Sequence, residues 1–546
     1  MLIGDPRLCI LAAGRGERTA HEGLPKALLR VGGRAVISRI LDRFDPTIEV
    51  VVAIGHEGCL VRRYLELAHP DRRFLFVEVA RVSGPGSGPG ASLFACRDLL
   101  DRPFWLTTCD TLVAEDPEDC DHDWVGVADH PVLERYDTVS IDARGRIFRW
   151  DRRINRTGNL AFIGLAGVHH HQDFFRALAT HPGRPGAEHD LVGGFEGLID
   201  HGLRASRFEW FDTGNAQDLA LTREHHPDEI MVLDKRDESI WFEGSQVVRW
   251  FRNEKIAADR VARATDLKGL VPEIAGSTSG FYRYEFVPGP LLSEVQTPAS
   301  LESFYHWAKS HLWEDRRDRV EAARFVDGCR RFYRDKTLDR LTRYFESRDR
   351  RDAAAVVNGR SLPPVFDLLE SLDWQWICAG NPVRFHGDLH TDNVVVTGRD
   401  GAEAYRLIDW RQDFAGRTDV GDLYYDLAKL HHYFALSPRV VEQQRFDCRV
   451  DGKTAQHRHD DLPGLGDCLA SLERFVECEG WDLRKVETLS ALCFLNMGAL
   501  HPGAAGDLFF HHGWSSLATI VGPKKSALRL HRPVVCELDH EPITIR

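Results

Sequence analysis

The chain of 546 residues has no excess of basic charge; its formal net charge is −13. Nucleic-acid backbones are held by clustered Lys and Arg, so no nucleic-acid partner is expected, although a local basic pocket for one nucleotide stays open. No run reaches the roughly 18 apolar residues of a membrane-spanning helix, so no membrane insertion is expected. The opening MLIGDPRLCILAAGRG lacks a basic leader followed by a long apolar stretch, which argues against a signal peptide and for a cytoplasmic protein. None of the 12 Cys forms a Cys-x-x-Cys pair, so they read as reduced, buried thiols rather than a disulfide framework or zinc site. His169 to His171 have no second cluster at metal-ligand spacing and read as a surface turn. Internal repeats and low-complexity tails are absent too.

What is present is enough chain for two or more cores, since one core rarely grows past about 300 residues. In the first half, short apolar runs alternate with helical spacing: Leu8 to Leu11, Ala35 to Phe44, Val50 to Ile54, Phe74 to Val79, Ala91 to Leu100 and Phe104 to Thr108. This order predicts a parallel sheet with right-handed crossovers, covered on both faces. A polar stretch, 221–236, predicts a boundary between domains 1–226 and 233–546. Beyond it, Ser239 to Phe251 reads as a hairpin, Ala257 to Leu267 as a helix and Phe281 to Val287 as a strand. From about 300 the pattern is mainly helical, broken by strand, loop and strand between 383 and 410, with 346–362 read as a helix end and exposed loop.

The segment LAAGRGERTAHEGLPKALLRVGG, residues 11–33, takes a strand into a glycine-rich turn. Gly14 and Gly16 let backbone N–H groups approach phosphate, and Arg15, Arg18 and Lys26 supply charge for a triphosphate. Gly84 to Leu93 is a second glycine-rich loop, Phe104 to Val113 a strand running into Asp110, and Trp210 to Leu219 a late Trp-x-Asp-x-Gly element offering Asp212. Taken in order, these elements resemble the sugar-phosphate and choline-phosphate nucleotidyltransferases. The resemblance implies a Rossmann-like α/β domain. It places the nucleotide against Leu11, Ala12, Ala13, Gly14, Arg15, Gly16 and Gly88, with Arg18 and Lys26 catalytic and Asp110 and Asp212 holding Mg²⁺. Arg152 stands near the position of a product-contacting Lys in that family. The short spacing from Arg18 to Pro25 sits nearer the cytidylyltransferases and favours CTP.

The second constellation is FHGDLHTDNVVV, 385–396, followed by LIDW, 407–410. It resembles the catalytic and metal loops of aminoglycoside phosphotransferases and choline kinases. The resemblance implies an α+β, two-lobed, protein-kinase-like domain with a small lobe at about 233–295 and a large lobe at about 296–546. Asp388 would accept the proton of the substrate hydroxyl, Asn393 and Asp409 would hold Mg²⁺ on ATP, and His386 would shape the loop. Asp422 and Asp426 read as a helix cap and a loop tie. Tyr284 to Val287 would be the hinge, with Glu285 and Val287 at the nucleotide. Arg249 stands where a phosphate-binding Lys is expected. Either Arg249 takes that role, or Lys255 does, or ATP binding is weakened; the first is the expectation here.

A kinase that makes a phosphate ester and a nucleotidyltransferase that consumes one are consecutive enzymes. The resemblances imply a bifunctional enzyme: a small polar metabolite (amino alcohol, polyol or sugar) is phosphorylated by ATP, and its phosphate ester is coupled to a nucleoside monophosphate. The product would be an activated precursor for surface polysaccharide, including capsule, or for lipid head groups. The alternatives are a nucleotidyltransferase with a degenerate kinase domain that binds ligand or regulates, and a non-catalytic sensor of surface polymers. Trp410, Tyr424, Tyr425 and several Trp in 307–376 could cage a quaternary ammonium, or could simply be core. The oligomeric state is not legible.

Overall fold

Two continuous apolar runs, Leu8 to Leu11 and Val50 to Ile54, have no polar face to turn to water, so each needs cover on both sides. In the computed structural model, which describes residues 5–15, 23–151, 160–180, 189–228, 237–398 and 404–522, they form neighbouring strands β1 (Arg7–Ala12) and β2 (Val50–Ile54). With β3 (Phe74–Glu78) and β4 (Phe104–Thr108) they make the order β3-β2-β1-β4, parallel throughout. Helices α1 (Gly58–Ala68) and α2 (Pro89–Ala95) follow β2 and β3. One apolar cluster contains Leu8, Val52 and Val61, and the other Cys9, Val51 and Leu93, so alternate residues of β1 and β2 belong to different clusters.

The four strands expected to be parallel are so, and the rest of the sheet adds antiparallel pairs. Beyond a short strand β5 (Thr111–Val113) come β6 (Trp124–Ala128), β7 (Thr138–Ile141), β8 (Ile147–Asp151) and β9 (Leu160–Val168). β9 lies antiparallel to β4, β6 and β7, and β8 is antiparallel to β7, while β10 (Arg204–Arg207) runs parallel to β6. The sheet is therefore mixed, because strands joined without an intervening helix return antiparallel. Strand β11 (Trp210–Asp212) pairs antiparallel with β5 and leads into α3 (Ala216–His225), capped by the Asn215 side chain.

Contacts divide the chain into two compact units: residues 1–257 with 274–286, and residues 258–273 with 287–546. The division differs from the sequence boundary at 226–233 and falls within helix α4 (Glu254–Asp266). The first unit takes in a four-stranded antiparallel sheet of β12 (Glu238–Glu243), β13 (Gln246–Phe251), β14 (Ile274–Thr278) and β15 (Phe281–Glu285), in the order β12-β13-β15-β14. Trp241, Val248, Trp250 and Phe281 share one apolar cluster with Val61, Tyr64 and Leu65 of α1. The Trp241 indole N–H donates to the Leu28 carbonyl at 3.0 Å. Glu243, 3% exposed at its side chain, accepts from the Tyr64 hydroxyl at 2.6 Å and from Arg34 at 2.8 Å and 3.0 Å.

Truncating Trp241 to Ala removes a fully buried side chain and should cost about 3–5 kcal/mol. The expected result is a lower midpoint of thermal unfolding of the intact chain, followed by calorimetry. An unchanged midpoint would show that this sheet is not part of that unit's core.

The second unit is mainly helical, including α5 (Lys336–Ser347), α6 (Leu423–Ala435), α7 (Leu465–Cys478), α8 (Leu483–Gly498) and α9 (Gly503–Val521). Two further features depart from the sequence reading. Ala355–Val357 and Arg360–Leu362 form a hairpin where a loop was expected, and Ala355–Val357 pairs with Thr454–His459, itself paired with Phe446–Asp451. No helix of the described residues is long and apolar enough to cross a membrane.

Two candidate active sites

Strand β1 ends beneath the first site. Leu11, Ala12 and Ala13 are buried, Gly14 has open space where a side chain would sit, and Arg15 is exposed. Gly16, Arg18 and Arg152 lie outside the described residues. Lys26 opens a short helical turn, Lys26–Leu28, and its Nζ lies 3.1 Å from Asp110 Oδ2. Asp110 sits between β4 and β5, and Asp212 ends β11 opposite Thr111. The pairing of β5 with β11 thus brings together two carboxylates 102 residues apart in sequence.

Gly214 shows how close they come. A Cβ there would lie 2.9 Å from Asp212 Oδ1 and 3.0 Å from Asp110 Oδ2, so only glycine leaves the space between them. Burial, and then the charge of Asp110, push the Asp212 carboxyl above the usual carboxylate range. Asp212 accepts from the Gly214 N–H at 2.7 Å and from the Tyr136 hydroxyl at 2.8 Å. Two hard oxygen donors converging on a cradle that a methyl group would fill fit Mg²⁺. Gly214 and Tyr136 were not singled out from sequence; the Trp-x-Asp-x-Gly spacing could have flagged Gly214, but nothing local flags Tyr136. Gly88, the last residue before α2, has φ 117°, which glycine adopts without strain.

In the second unit, residues 385–393 lead into a hairpin, Val394–Val396 with Tyr405–Leu407, and Asp409 follows it with φ 57°. The hairpin is short enough to return the chain beside the loop: the Ile408 N–H donates to the Asn393 carbonyl at 2.9 Å. His386 couples the two segments. Its Nδ1 accepts from the Asp388 N–H at 3.2 Å, so its Nε2 donates to the Ile408 carbonyl at 3.0 Å. Burial lowers its pKa to about 4, which keeps the ring neutral. Asn393 Nδ2 donates to the Asp388 carbonyl at 2.9 Å. Asn393 and Asp409 offer oxygen donors of the kind Mg²⁺ takes, and Asp409 is ion-paired with Arg260.

Asp388 has a partner that the motif does not contain. Lys429 Nζ on α6 lies 2.8 Å from Asp388 Oδ1. Burial works to raise the Asp388 carboxyl, but Lys429 and then His390 outweigh it and hold the group well below the usual carboxylate range. Asp388 is therefore anionic and ready to accept a hydrogen bond.

The loop is anchored from behind. Asp426 accepts from the His386 N–H at 2.8 Å, the Gly387 N–H at 2.6 Å and the Trp313 indole at 3.1 Å. Asp422 caps α6 at the Tyr424 N–H and accepts from the Asn381 N–H and the Tyr333 hydroxyl. The buried Arg263 guanidinium donates to the carbonyls of Phe385, His386, Arg411 and Thr418. Sequence reasoning missed Arg263, which lies in no motif and acts only on backbone.

The residues expected at the ATP phosphates and base are described in their own units. Arg249 lies on β13 with its guanidinium 3.5 Å from Glu238 of the adjacent strand, so its acidic neighbour comes from the sheet. Lys255 is exposed on the first turn of α4. Glu285 closes β15 opposite Gln246, and Val287 follows in the other unit. The His169 and His170 N–H groups donate to the buried Asp123 carboxylate, and His171 starts a helix.

The buried histidines set an acid limit. Burial lowers His386, His431 and His457 to about 4. Unfolding exposes rings that titrate near 6.5 and bind protons more readily, so their stability is complete above about pH 6.5 and is lost as pH falls towards 4. Asp426, pushed to about 6 by burial, opposes this between about pH 4 and 6, as do the raised Asp212, Asp422 and Glu442 carboxyls, but burial also lowers His432, His511 and His512, so the histidines outnumber the carboxyls. The unfolding midpoint, followed by calorimetry, should fall between pH 7 and pH 5; a constant or rising midpoint would contradict this balance.

Two known families match segments of the chain. The family of MobA-like NTP transferase domains matches residues 8–117, and the phosphotransferase enzyme family matches residues 210–448. Among curated proteins, none matches the chain in sequence. Among solved structures, the inositol-1-phosphate CTP transferase from T. maritima is similar at 16% identity over 42% of this chain and 98% of its own, with a TM-score of 0.34. The UTP-bound UGPase from Acinetobacter baumannii is similar at 14% identity over 41% of this chain and 93% of its own, also with a TM-score of 0.34. The chain therefore carries two enzyme domains in one polypeptide, a MobA-like NTP transferase domain followed by a domain of the phosphotransferase enzyme family.

Proposed function

We propose that the chain is a bifunctional enzyme that makes a phosphate ester and then activates it with a nucleotide. Residues 233–546 act as the kinase and residues 1–226 as the nucleotidyltransferase, with the 237–286 sheet serving the core of the first unit as well. The observation that carries this reading is that neither half has lost its acidic chemistry. Asp110 and Asp212 converge beside Lys26, and Asp388, Asn393 and Asp409 are held together by the His386 bridge.

In the kinase step, Asp388 accepts the proton of the substrate hydroxyl as its oxygen attacks the γ-phosphorus of ATP, and ADP leaves. Lys429 keeps Asp388 ionised and fixes its direction. In the second step, a phosphate oxygen of the ester attacks the α-phosphorus of a nucleoside triphosphate and pyrophosphate leaves. Lys26, Arg18 and the N–H groups after β1 bear on the triphosphate. Mg²⁺, held by Asp110 and Asp212 in one site and by Asn393 and Asp409 in the other, would neutralise charge on the phosphates. CTP is favoured by the short spacing from Arg18 to Pro25. The product class is a nucleotide-activated precursor for surface polysaccharide or lipid head groups, made in the cytoplasm.

Incubating the intact chain with ATP, CTP, Mg²⁺ and a panel of hydroxylated metabolites tests this, with mass spectrometry following ADP, pyrophosphate and conjugates. ADP, pyrophosphate and a conjugate from one acceptor are expected. One observation favours a second reading, a nucleotidyltransferase with a degenerate kinase domain: Arg249 occupies the position of the expected Lys. Reaction of supplied phosphate esters only, with no acceptor phosphorylated, would select that reading.

A further inference from the structure

Four cations gather on the α5 and α6 side of Asp388, in the second unit. Lys429 is paired with Asp388 itself. Lys336 Nζ stands 3.4 Å from the centroid of the Phe332 ring and 5.6 Å from that of Tyr425. The Arg411 guanidinium lies 5.0 Å from the same Phe332 ring, and a Cβ on Gly387, the residue before Asp388, would touch Arg411 Cβ at 2.7 Å. Arg340 lies one helical turn beyond Lys336 on α5. All four side chains are partly buried, and the two rings between them are buried.

Their charges are poorly matched. Among the described residues, Lys336 and Arg340 have neither a hydrogen bond nor an ion pair to an acidic group. Arg411 has Asp413 at 3.9 Å, and Asp388 is engaged by Lys429. Burial, then repulsion from Arg411 and Arg340, lowers Lys336 well below the usual lysine range. Like charges are held close at a cost that an anion among them would remove.

Four of the aromatic residues that could cage a quaternary ammonium are committed elsewhere. Trp410 is buried, with its indole donating to the Arg260 carbonyl at 2.9 Å. Lys485 lies over the rings of both Tyr424 and Trp376, at 4.6 Å and 5.5 Å. Tyr425 already faces Lys336. A cationic substrate would meet like charge at each of these last three rings.

We infer that the kinase acceptor is itself an anion: a hydroxylated carboxylate or phosphate ester whose acidic group sits among Lys336, Arg340 and Arg411 while its hydroxyl faces Asp388. This rests on the kinase reading above and narrows its substrate class, setting aside choline, ethanolamine and neutral polyols. In the step, the acceptor oxygen bonds to the γ-phosphorus, the bond from that phosphorus to the bridging oxygen of ADP breaks, and the hydroxyl proton passes to Asp388. Lys336 and Arg340 bind the acceptor and take no part in the bond exchange.

The test uses the intact chain with ATP and Mg²⁺ and acceptors that differ mainly in charge: glycerol, glycerate, glycerol 3-phosphate, ethanolamine and choline. ADP release is followed in the wild type and in the Lys336→Gln/Arg340→Gln double variant. The expected result is kcat/KM about 100-fold higher for an anionic acceptor than for glycerol. In the double variant, acceptor KM should rise about tenfold or more, with the KM for ATP and the pyrophosphate-forming activity unchanged. Preference between glycerate and glycerol 3-phosphate distinguishes carboxylate from phosphate. Equal or better turnover of choline, ethanolamine or glycerol, insensitive to the double variant, would overturn the inference and leave the kinase reading intact. If no acceptor turns over, calorimetric titration of glycerate and inorganic phosphate into protein saturated with ADP and Mg²⁺ decides separately. Anion binding lost in the double variant supports the pocket, and equal binding to both proteins refutes it.

Discussion

Asp388→Asn should lower ADP-forming phosphoryl transfer by roughly 10²–10⁴-fold, the range for loss of a positioned proton acceptor. The amide is nearly isosteric but neutral, so it cannot take the hydroxyl proton and no longer pairs with Lys429. Acceptor and ATP KM values should change far less than kcat, because Asp388 acts on the reacting oxygen more than on binding. Pyrophosphate release from a supplied phosphate ester and CTP should stay within about twofold, since that step is assigned to Lys26, Asp110 and Asp212 of the other unit. Parallel loss of both activities would mean that the substitution had unfolded the chain, which far-ultraviolet circular dichroism would show.

The complementary loss is expected at the other site. Asp110→Ala or Asp212→Ala should reduce nucleotidyl transfer by about 10²–10³-fold while leaving ADP formation in place. The two changes should differ in their traces. Removing Asp110 leaves Lys26 without its partner at 3.1 Å and relieves the repulsion that raises the Asp212 carboxyl. Removing Asp212 strands the Tyr136 hydroxyl and the Gly214 N–H. Each variant should also need more Mg²⁺ to reach half-maximal rate, which a metal titration of pyrophosphate release would measure. A full rate with unchanged Mg²⁺ dependence in either variant would remove that carboxylate from the chemistry.

Legibility from sequence follows how local each determinant is. β1, β2, β4 and the hairpin at 238–251 are continuous apolar or β-branched runs bounded by turns, and they are where the sequence places them. Ile274–Thr278 and Ala355–Val357 are short, Thr454–His459 is polar, and the last two pair with each other across a long stretch of sequence. The antiparallel turn of the large sheet depends on which strands meet, which runs of apolar residues do not report. In the sites, Asp110, Asp212, Asp388, Asn393 and Asp409 are legible because each lies in a compact motif. Lys429, Arg263, Tyr136 and the group around Lys336 are not, because they reach the sites across long stretches of sequence. Asp422 and Asp426 form the middle case: their roles as cap and tie follow from a helix start beside a loop, and the contacts have that form.

The Glu243 carboxylate, buried against Tyr64 and Arg34, has a consequence for how the protein is made. Synthesis runs from the amino terminus, and domains generally fold as they emerge. Here the first unit cannot close when its own family segment has left the ribosome, because strands β12 to β15 are still to come and the last of them ends at Glu285. Until then Val61, Tyr64 and Leu65 of α1 lack the Trp241, Val248, Trp250 and Phe281 part of their cluster. A nascent chain stalled between residues 228 and 286 would present that unfinished cluster to chaperones and proteases, so translation pauses in this interval should govern the yield of active protein more than pauses elsewhere.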